Sequence, residues 1–395
     1  MTDAFDRLHL RRVINASGTE TPFGAAPVRP ECIAAMVEIV PHSVLMSELQ
    51  RAASEMIARA MGTEAGLVTG CTAASIAIAV AACMTGRDLA RVEQLPDASG
   101  MKNEVIMQKG HELTYGQNVS QNVRIAGARV VEIGVATQCG VYQLHHAITA
   151  NTVAALYVVS PLTAQNRMID LELFCAACHE HGVPVIVNAA SVADPRVYVK
   201  SGADLVLFSA HKAFASITAG IIAGRRDLVH ACMYQQHGIG RPMKVGKEGV
   251  AGVIAALKAW LTDDHAALRE AVAARLTRAK AHLEYITGMS VSIHGNQLKL
   301  EIVPKTARIT AYALSQALLA DDPMIIVWSQ FARDGQLFVT MAKISDEVAN
   351  HVCERIEAIC AGGTTVEGPA PNIADAIAAQ LKEWPDRAKS VPQPD

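Results

Sequence analysis

The chain has 395 residues, enough to bury a large core and to divide into two domains. With 35 Lys and Arg against 38 Asp and Glu its net charge is −3, which gives no general attraction to nucleic acid or to an anionic membrane. The first residues are acidic where a secretory leader is basic, and the longest apolar runs are too short to span a bilayer, so the expectation is a soluble, cytoplasmic protein.

In chain order, residues 65–69 read as a strand, Gly70-Cys71-Thr72 as a turn and 73–84 as an Ala-rich helix. Backbone amides at such a helix start form a cup for a phosphate, glycine lets the backbone approach closely, and the Thr72 hydroxyl adds a donor. An ordinary N-capped helix has the same pattern. Non-alternating apolar runs follow at 104–107, 129–133, 153–159, 184–188, 204–208 and 220–223, with helical stretches between them. Strands covered on both faces read this way, so the class is α/β with a mostly parallel sheet. The 9 cysteines are scattered, and the single CxxC, Cys175 and Cys178, falls in a predicted helix over 174–181 with no second pair, so no metal site is implied.

Ser209-Ala210-His211-Lys212-Ala213-Phe214 directly follows the run at 204–208. Desolvation penalises a lysine at the end of a buried strand unless chemistry uses it, and such a lysine forms Schiff bases. A hydroxyl three residues earlier is placed to hold a phosphate beside that imine, the arrangement a pyridoxal phosphate (PLP) enzyme requires. The other reading is a surface lysine after an edge strand. A long helical pattern over 247–287 then leads to strands at 290–294 and 298–302, a helix at 308–319, strands at 324–327 and 337–341 and a helix at 347–361. These make a small α+β domain. The expected division is an arm at 1–28, a PLP-binding large domain at 29–255, the small domain at 256–365, and a short helix with a loose tail at 366–395.

Four motifs carry a family resemblance: RVINASGT at 12–19, LPDASGMKNE at 95–104, QKGH at 108–111 and GIGRPMKVGKE at 238–248. The chain resembles the selenocysteine synthase-like branch of fold-type I PLP enzymes, whose layout is that of aspartate aminotransferase. Within it the likeness is to the D-glucosaminate-6-phosphate ammonia-lyases. The resemblance implies that Lys212 binds PLP and serves as acid or base at Cα, and that Gly70, Cys71, Thr72 and Ala73, with Ser209, hold the cofactor phosphate. His111 falls where such folds place a ring over the pyridine; a histidine satisfied within a loop is the competing reading. Arg241 and Lys244, with Lys247, would hold an anionic substrate group, unless they form a solvated basic turn. Thr19 and Glu20 would lie near the mouth of the site, where Glu20 contacts a substrate amino or hydroxyl group or merely caps a turn.

Two positions depart from the family pattern. An Asp that keeps the pyridine nitrogen protonated is replaced by Asn188, whose neutral amide cannot hold a proton there by charge. Transamination becomes less favourable, whereas β-elimination and racemisation survive. The C-terminal strand has Lys343 where many relatives carry an arginine for the substrate carboxylate. Selenocysteine synthases carry an additional N-terminal domain for tRNA, and this chain starts almost at the Asn15 motif, so no nucleic-acid partner is expected. The expected function is PLP-dependent β-elimination and deamination of a 2-amino-3-hydroxy acid, such as a phosphorylated amino sugar acid, by a homodimer or higher homo-oligomer. An amino-acid racemase or epimerase, and a non-catalytic binding protein on the same fold, are the alternatives.

Overall fold

The computed structural model describes residues 3–362; the helix expected within 366–395 lies outside them. The strands run in chain order β1 (Val13–Ala16), β2 (Ala65–Thr69), β3 (Glu104–Gln108), β4 (Arg129–Ile133), β5 (Thr152–Val158) and β6 (Val185–Asn188). They continue as β7 (Leu205–Ser209), β8 (Gly220–Gly224), β9 (Met289–His294), β10 (Gln297–Ile302), β11 (Met324–Val327) and β12 (Gln336–Thr340). Two compact units result, one from residues 24–263 and one from the residues up to Phe23 together with those from Asp264 onward.

The first unit is built on a 7-stranded sheet in the order β2-β8-β7-β6-β5-β3-β4. Only β8 is antiparallel to its neighbours, so the sheet is mostly parallel, as the non-alternating runs indicate. Successive side chains of each strand enter opposite cores. Ile106, Tyr157, Val187 and Phe208 join Ile57, Phe174, Val253 and Trp260 on one face. Val105, Met107, Leu156, Ile186 and Leu207 join Ile76, Ile78, Val123 and Cys232 on the other. Cys175 and Cys178 are packed into the first core, where burial pushes both thiols up to about 12. They are inert structural thiols.

The second unit holds the three-stranded antiparallel sheet β12-β10-β9 and a parallel pair, β1 with β11. Its core centres on Leu298, Leu300, Leu314, Leu337, Val352 and Ile356. The start of the chain is therefore a strand of this unit, with Val13 opposite Met324, rather than a free-standing arm. The continuous helical pattern over 247–287 is two helices, Lys247–Thr262 and His265–Leu283. Polar chemistry breaks it: Asp263 takes the Arg29 guanidinium at 2.7 and 2.5 Å, and the Asp264 carboxylate caps the next helix through the amides of Ala266 and Ala267. Among the described residues no helix is long and apolar enough to cross a membrane.

One buried carboxylate ties the sheet's amino edge together. Asp204 accepts hydrogen bonds from Arg225 Nη1 and the Val185 amide, both at 2.7 Å, and faces His179 Nε2 at 2.8 Å. Burial alone would raise its pKa, but these three partners outweigh burial and hold it below the usual 3.8. The stability this provides is present above the unfolded value and is lost as pH falls through the folded one. Asp204→Ala, which leaves the buried Val185 amide unpaired, should cost about 3 kcal/mol at pH 7 in urea unfolding. Its deficit against the parent should shrink below about pH 4.

Candidate active site

In a parallel sheet the loops that leave the carboxyl ends of the strands share one edge, where ligands bind. Here β2, β3, β5, β6 and β7 release Gly70–Ala73, Lys109–His111, Val159, Ala189–Ser191 and Ala210–Ala213 at that edge. Pairing sets their levels: Thr69 lies opposite Gly220, Gly220 opposite Ser209, and Asn188 lies between Val158 and Leu207.

Gly220 draws the Gly70–Cys71 turn toward the lysine segment. A Cβ there would lie 2.4 Å from the Cys71 carbonyl carbon and 2.5 Å from its oxygen, closer than any side chain tolerates. The Gly70–Cys71 turn thus folds down over the start of β8 toward Ser209. Gly70 allows a second approach: a Cβ there would stand 2.9 Å from the Met243 carbonyl oxygen and 3.4 Å from that of Lys244. The basic loop containing Arg241 and Lys244 is seated on the turn through its backbone. Both side chains are exposed, and neither has an ion pair or hydrogen bond among the described residues. Lys247 is occupied, donating from Nζ to the His42 carbonyl.

Thr72 opens the helix Thr72–Thr85 and Cys71 is its N-cap, with Sγ accepting from the Ala74 amide at 3.4 Å. The Thr72 Oγ1 is enclosed and has no partner among the described residues. Ala73 follows in the first turn, among amides that no carbonyl of the same helix satisfies. Lys212 sits in the one-turn helix Ala210–Ala213 and is half-buried, not enclosed as a strand-end lysine would be. The chain leaves the sheet at Ser209, so the amine reaches past the strand ends and donates to Ser191 Oγ at 3.2 Å.

His211 and Ser191 were not visible as site residues in the sequence. His211 is buried with both ring nitrogens lacking a hydrogen-bond partner. Burial, with the neighbouring Lys212 charge, lowers its pKa to about 4, so the ring is neutral. Its place beside Lys212 was the available signal; the absence of partners is a tertiary fact. Ser191 follows Asn188 by three residues, and only the fold brings it to the amine.

His111 is fully buried, and burial lowers its pKa to about 4. Its Nδ1 accepts from the Val158 amide at 3.3 Å, which leaves the ring proton on Nε2, facing the Gln108 Nε2 amide, itself a donor, at 3.5 Å. The Tyr157 ring meets it edge-on at 4.5 Å. Asn188 is buried at the end of β6, with Oδ1 accepting from the Ala190 amide at 3.3 Å.

Thr19 and Glu20 belong to the other unit. The Asn15 carboxamide organises their loop by donating to the Gly18 carbonyl at 2.8 Å and accepting from the Ser17 amide at 3.1 Å. Glu20 lines a cavity of about 190 Å³ with Phe23, Ser315, Trp328 and Gln330. Lys343 is exposed just beyond β12.

The two buried neutral imidazoles set a pH dependence. Between pH 6.5 and about 4 the unfolded chain takes up protons that the folded chain refuses, so stability should fall as pH drops through this window and stay level above it. Denaturant unfolding at a series of pH values checks this. His211→Gln should flatten part of the slope, and an unchanged slope would refute the assignment.

The description L-seryl-tRNA selenium transferase (SelA) belongs to the family model that matches residues 13–355. The D-glucosaminate-6-phosphate ammonia lyase of Salmonella typhimurium is 37% identical over 310 residues, 78% of this chain and 83% of that one. A 5'-C-glycyluridine monooxygenase-decarboxylase from a Streptomyces species is 36% identical over 366 residues, 90% of this chain and 92% of that one. Among solved structures, a D-glucosaminate-6-phosphate ammonia-lyase superposes with a TM-score of 0.82 at 31% identity, covering 92% of this chain and 99% of that one. Serine palmitoyltransferase solved with PLP shares the fold, with a TM-score of 0.60 at 15% identity over 89% of this chain and 88% of its own.

Proposed function

The chain belongs to the L-seryl-tRNA selenium transferase (SelA) family of fold-type I PLP enzymes, and on that premise we propose that it is an ammonia-lyase acting at Cα of a phosphorylated 2-amino-3-hydroxy sugar acid. The likeness to a D-glucosaminate-6-phosphate ammonia-lyase in both sequence and structure carries the reading.

The residues fit the cofactor. A phosphate seated at the start of the Thr72–Thr85 helix would meet backbone amides of its first turn and the enclosed Thr72 hydroxyl, which has no partner among the described residues. His211 supplies two further unsatisfied nitrogens beside Lys212. Bound through Lys212, PLP provides an electron sink for the charge left at Cα.

Lys212 is assigned the proton at Cα, with Ser191 Oγ holding Nζ at 3.2 Å. The reaction removes the Cα hydrogen and the Cβ hydroxyl as water. Hydrolysis of the tautomerised product then takes up a water and releases ammonia, leaving a 2-oxo acid. Asn188 is assigned to the pyridine nitrogen as a neutral partner, so charge arising at Cα has to leave promptly, as it does when a hydroxyl departs from Cβ. His111 braces Val158, which pairs with Asn188, and so fixes the level of that strand end. Arg241 and Lys244 are assigned the substrate phosphate, their exposed cations having no partner among the described residues and their loop resting on the Gly70–Cys71 turn. Lys247 holds that loop to His42. The anionic small molecule, and not tRNA, is the proposed partner, bound by a homo-oligomer.

The second reading, an oxygen-dependent decarboxylation, rests on the equally high identity to the glycyluridine enzyme over more of the chain. Incubation of the holoenzyme with D-glucosaminate 6-phosphate should give equimolar ammonia and 2-oxo acid with no oxygen uptake, and Lys212→Ala should give neither. Oxygen consumption with carbon dioxide release from an amino acid substrate would favour the second reading.

The enclosed Thr72 hydroxyl makes a second test. An unsatisfied buried hydroxyl costs about 1–3 kcal/mol, so Thr72→Val should stabilise the apoprotein by about 1 kcal/mol while weakening PLP binding. Thermal unfolding with and without PLP reads both. A variant that loses apoprotein stability and keeps its affinity for PLP would overturn the phosphate assignment.

A further inference from the structure

We propose that His145, Glu180 and His181 form a binding site for a divalent transition metal ion of the zinc class, on the first unit and separate from the residues assigned to the cofactor. His145 lies in the last turn of the helix Val141–Ala147, and Glu180 and His181 directly follow the helix Leu171–His179. Leu144 on the first helix and Phe174 and Cys178 on the second are buried in one core, so the two backbones are held in place by packing and not by the polar cluster.

The two imidazoles have converged, with His145 Nδ1 3.0 Å from His181 Nε2. Glu180 Oε2 lies 3.9 Å from the other ring nitrogen of His145, Nε2, so the exposed carboxylate has to turn to complete the set. The ring centroids are 5.3 Å apart with planes inclined at 58°. Among the described residues this is the one cluster of three His, Cys, Asp or Glu side chains whose ligand atoms lie within 4.8 Å of one another. Zinc binds imidazole nitrogen at about 2.0–2.1 Å, so tetrahedral ligation puts two such nitrogens roughly 3.3 Å apart. The observed pair needs to open by only a few tenths of an ångström. Glu180 and His181 are exposed and His145 is half-buried, so the rings can turn and an ion can enter from solvent.

Two imidazoles and one carboxylate leave a position for water and select the zinc, cobalt, nickel and copper end of the divalent series over magnesium and calcium. His179 is excluded from the set, because its Nε2 faces Asp204. A bound ion would tie the end of one crossover helix to the end of the next and stabilise the first unit by mass action. The bland alternative is that the two rings share a proton, and the experiment separates the two.

Chelator-washed holoenzyme is titrated with Co²⁺ followed by visible absorption, and with Zn²⁺ by calorimetry, with Mg²⁺ as control. One ion per chain should bind in the micromolar range with ligand-field bands typical of nitrogen and oxygen donors. His145→Ala and His181→Ala should each weaken binding roughly tenfold or more, at least the scale on which even outer-shell partners matter. Glu180→Gln should weaken it less, and Mg²⁺ should not compete. The PLP absorption of both histidine variants should match the parent, which keeps this result independent of the proposed reaction. Binding unchanged in the His145→Ala/His181→Ala double variant, a Co²⁺–thiolate band, or no saturable binding would each overturn the site.

Discussion

At Gly220 the space for a single methyl group is already occupied by the backbone of Cys71, and the candidate site depends on that close approach. Because Gly220 pairs with Thr69 on one side and Ser209 on the other, it is the point where the phosphate turn and the lysine segment are nearest in the sheet. A side chain at this position would lift the turn, and with it the start of the Thr72–Thr85 helix, away from Ser209 and Lys212. The same turn supports the basic loop, since the Met243 and Lys244 carbonyls rest against Gly70. One glycine on each side of the turn therefore couples three chain segments that are distant in sequence.

That corner concentrates buried polar groups. Thr72 Oγ1 and both nitrogens of His211 are enclosed and have no partner among the described residues, although buried polar groups are nearly always hydrogen-bonded. The surrounding sheet carries the cost, because its strands are packed on both faces by separate cores and Asp204 clamps the opposite edge. A site built this way gains more from an anionic ligand than a relaxed one would, since the ligand satisfies groups already desolvated. The neutrality of His211 fits this role, because an uncharged ring can turn either a donor or an acceptor toward its partner.

What the sequence disclosed followed from local physics. Uninterrupted apolar runs such as 153–159 and 204–208 indicated buried parallel strands, and the Gly-Cys-Thr step before an Ala-rich helix indicated an amide-lined start. The rest was decided by contacts between distant residues. The pairing of β1 with β11, across more than three hundred residues, leaves no trace in local periodicity. The break at Asp263 and Asp264 was hidden because both flanking segments are strong helix formers, and Arg29, the partner of Asp263, lies far upstream. His211 adjoins Lys212 in sequence, but nothing local shows that its ring is sealed from water.

With Asn188 assigned to the pyridine nitrogen as proposed, the chemistry of both relatives stays open. Charge left at Cα can be discharged by expelling a group from Cβ or by passing electrons to an acceptor such as oxygen. A carboxylate at the end of β6 would favour neither strongly, because it would stabilise the charge and lengthen its life. The buried neutral amide shortens that life and suits either fast exit. The deciding feature then lies with the substrate: with a hydroxyl at Cβ, expulsion is intramolecular and needs no second reactant to arrive, so elimination outruns oxidation. On the proposed assignment Arg241 and Lys244, whose loop rests on the Gly70–Cys71 turn, call for a phosphorylated sugar acid, which brings such a hydroxyl with it, so the basic loop, and not the chemistry at the lysine, would select the reaction.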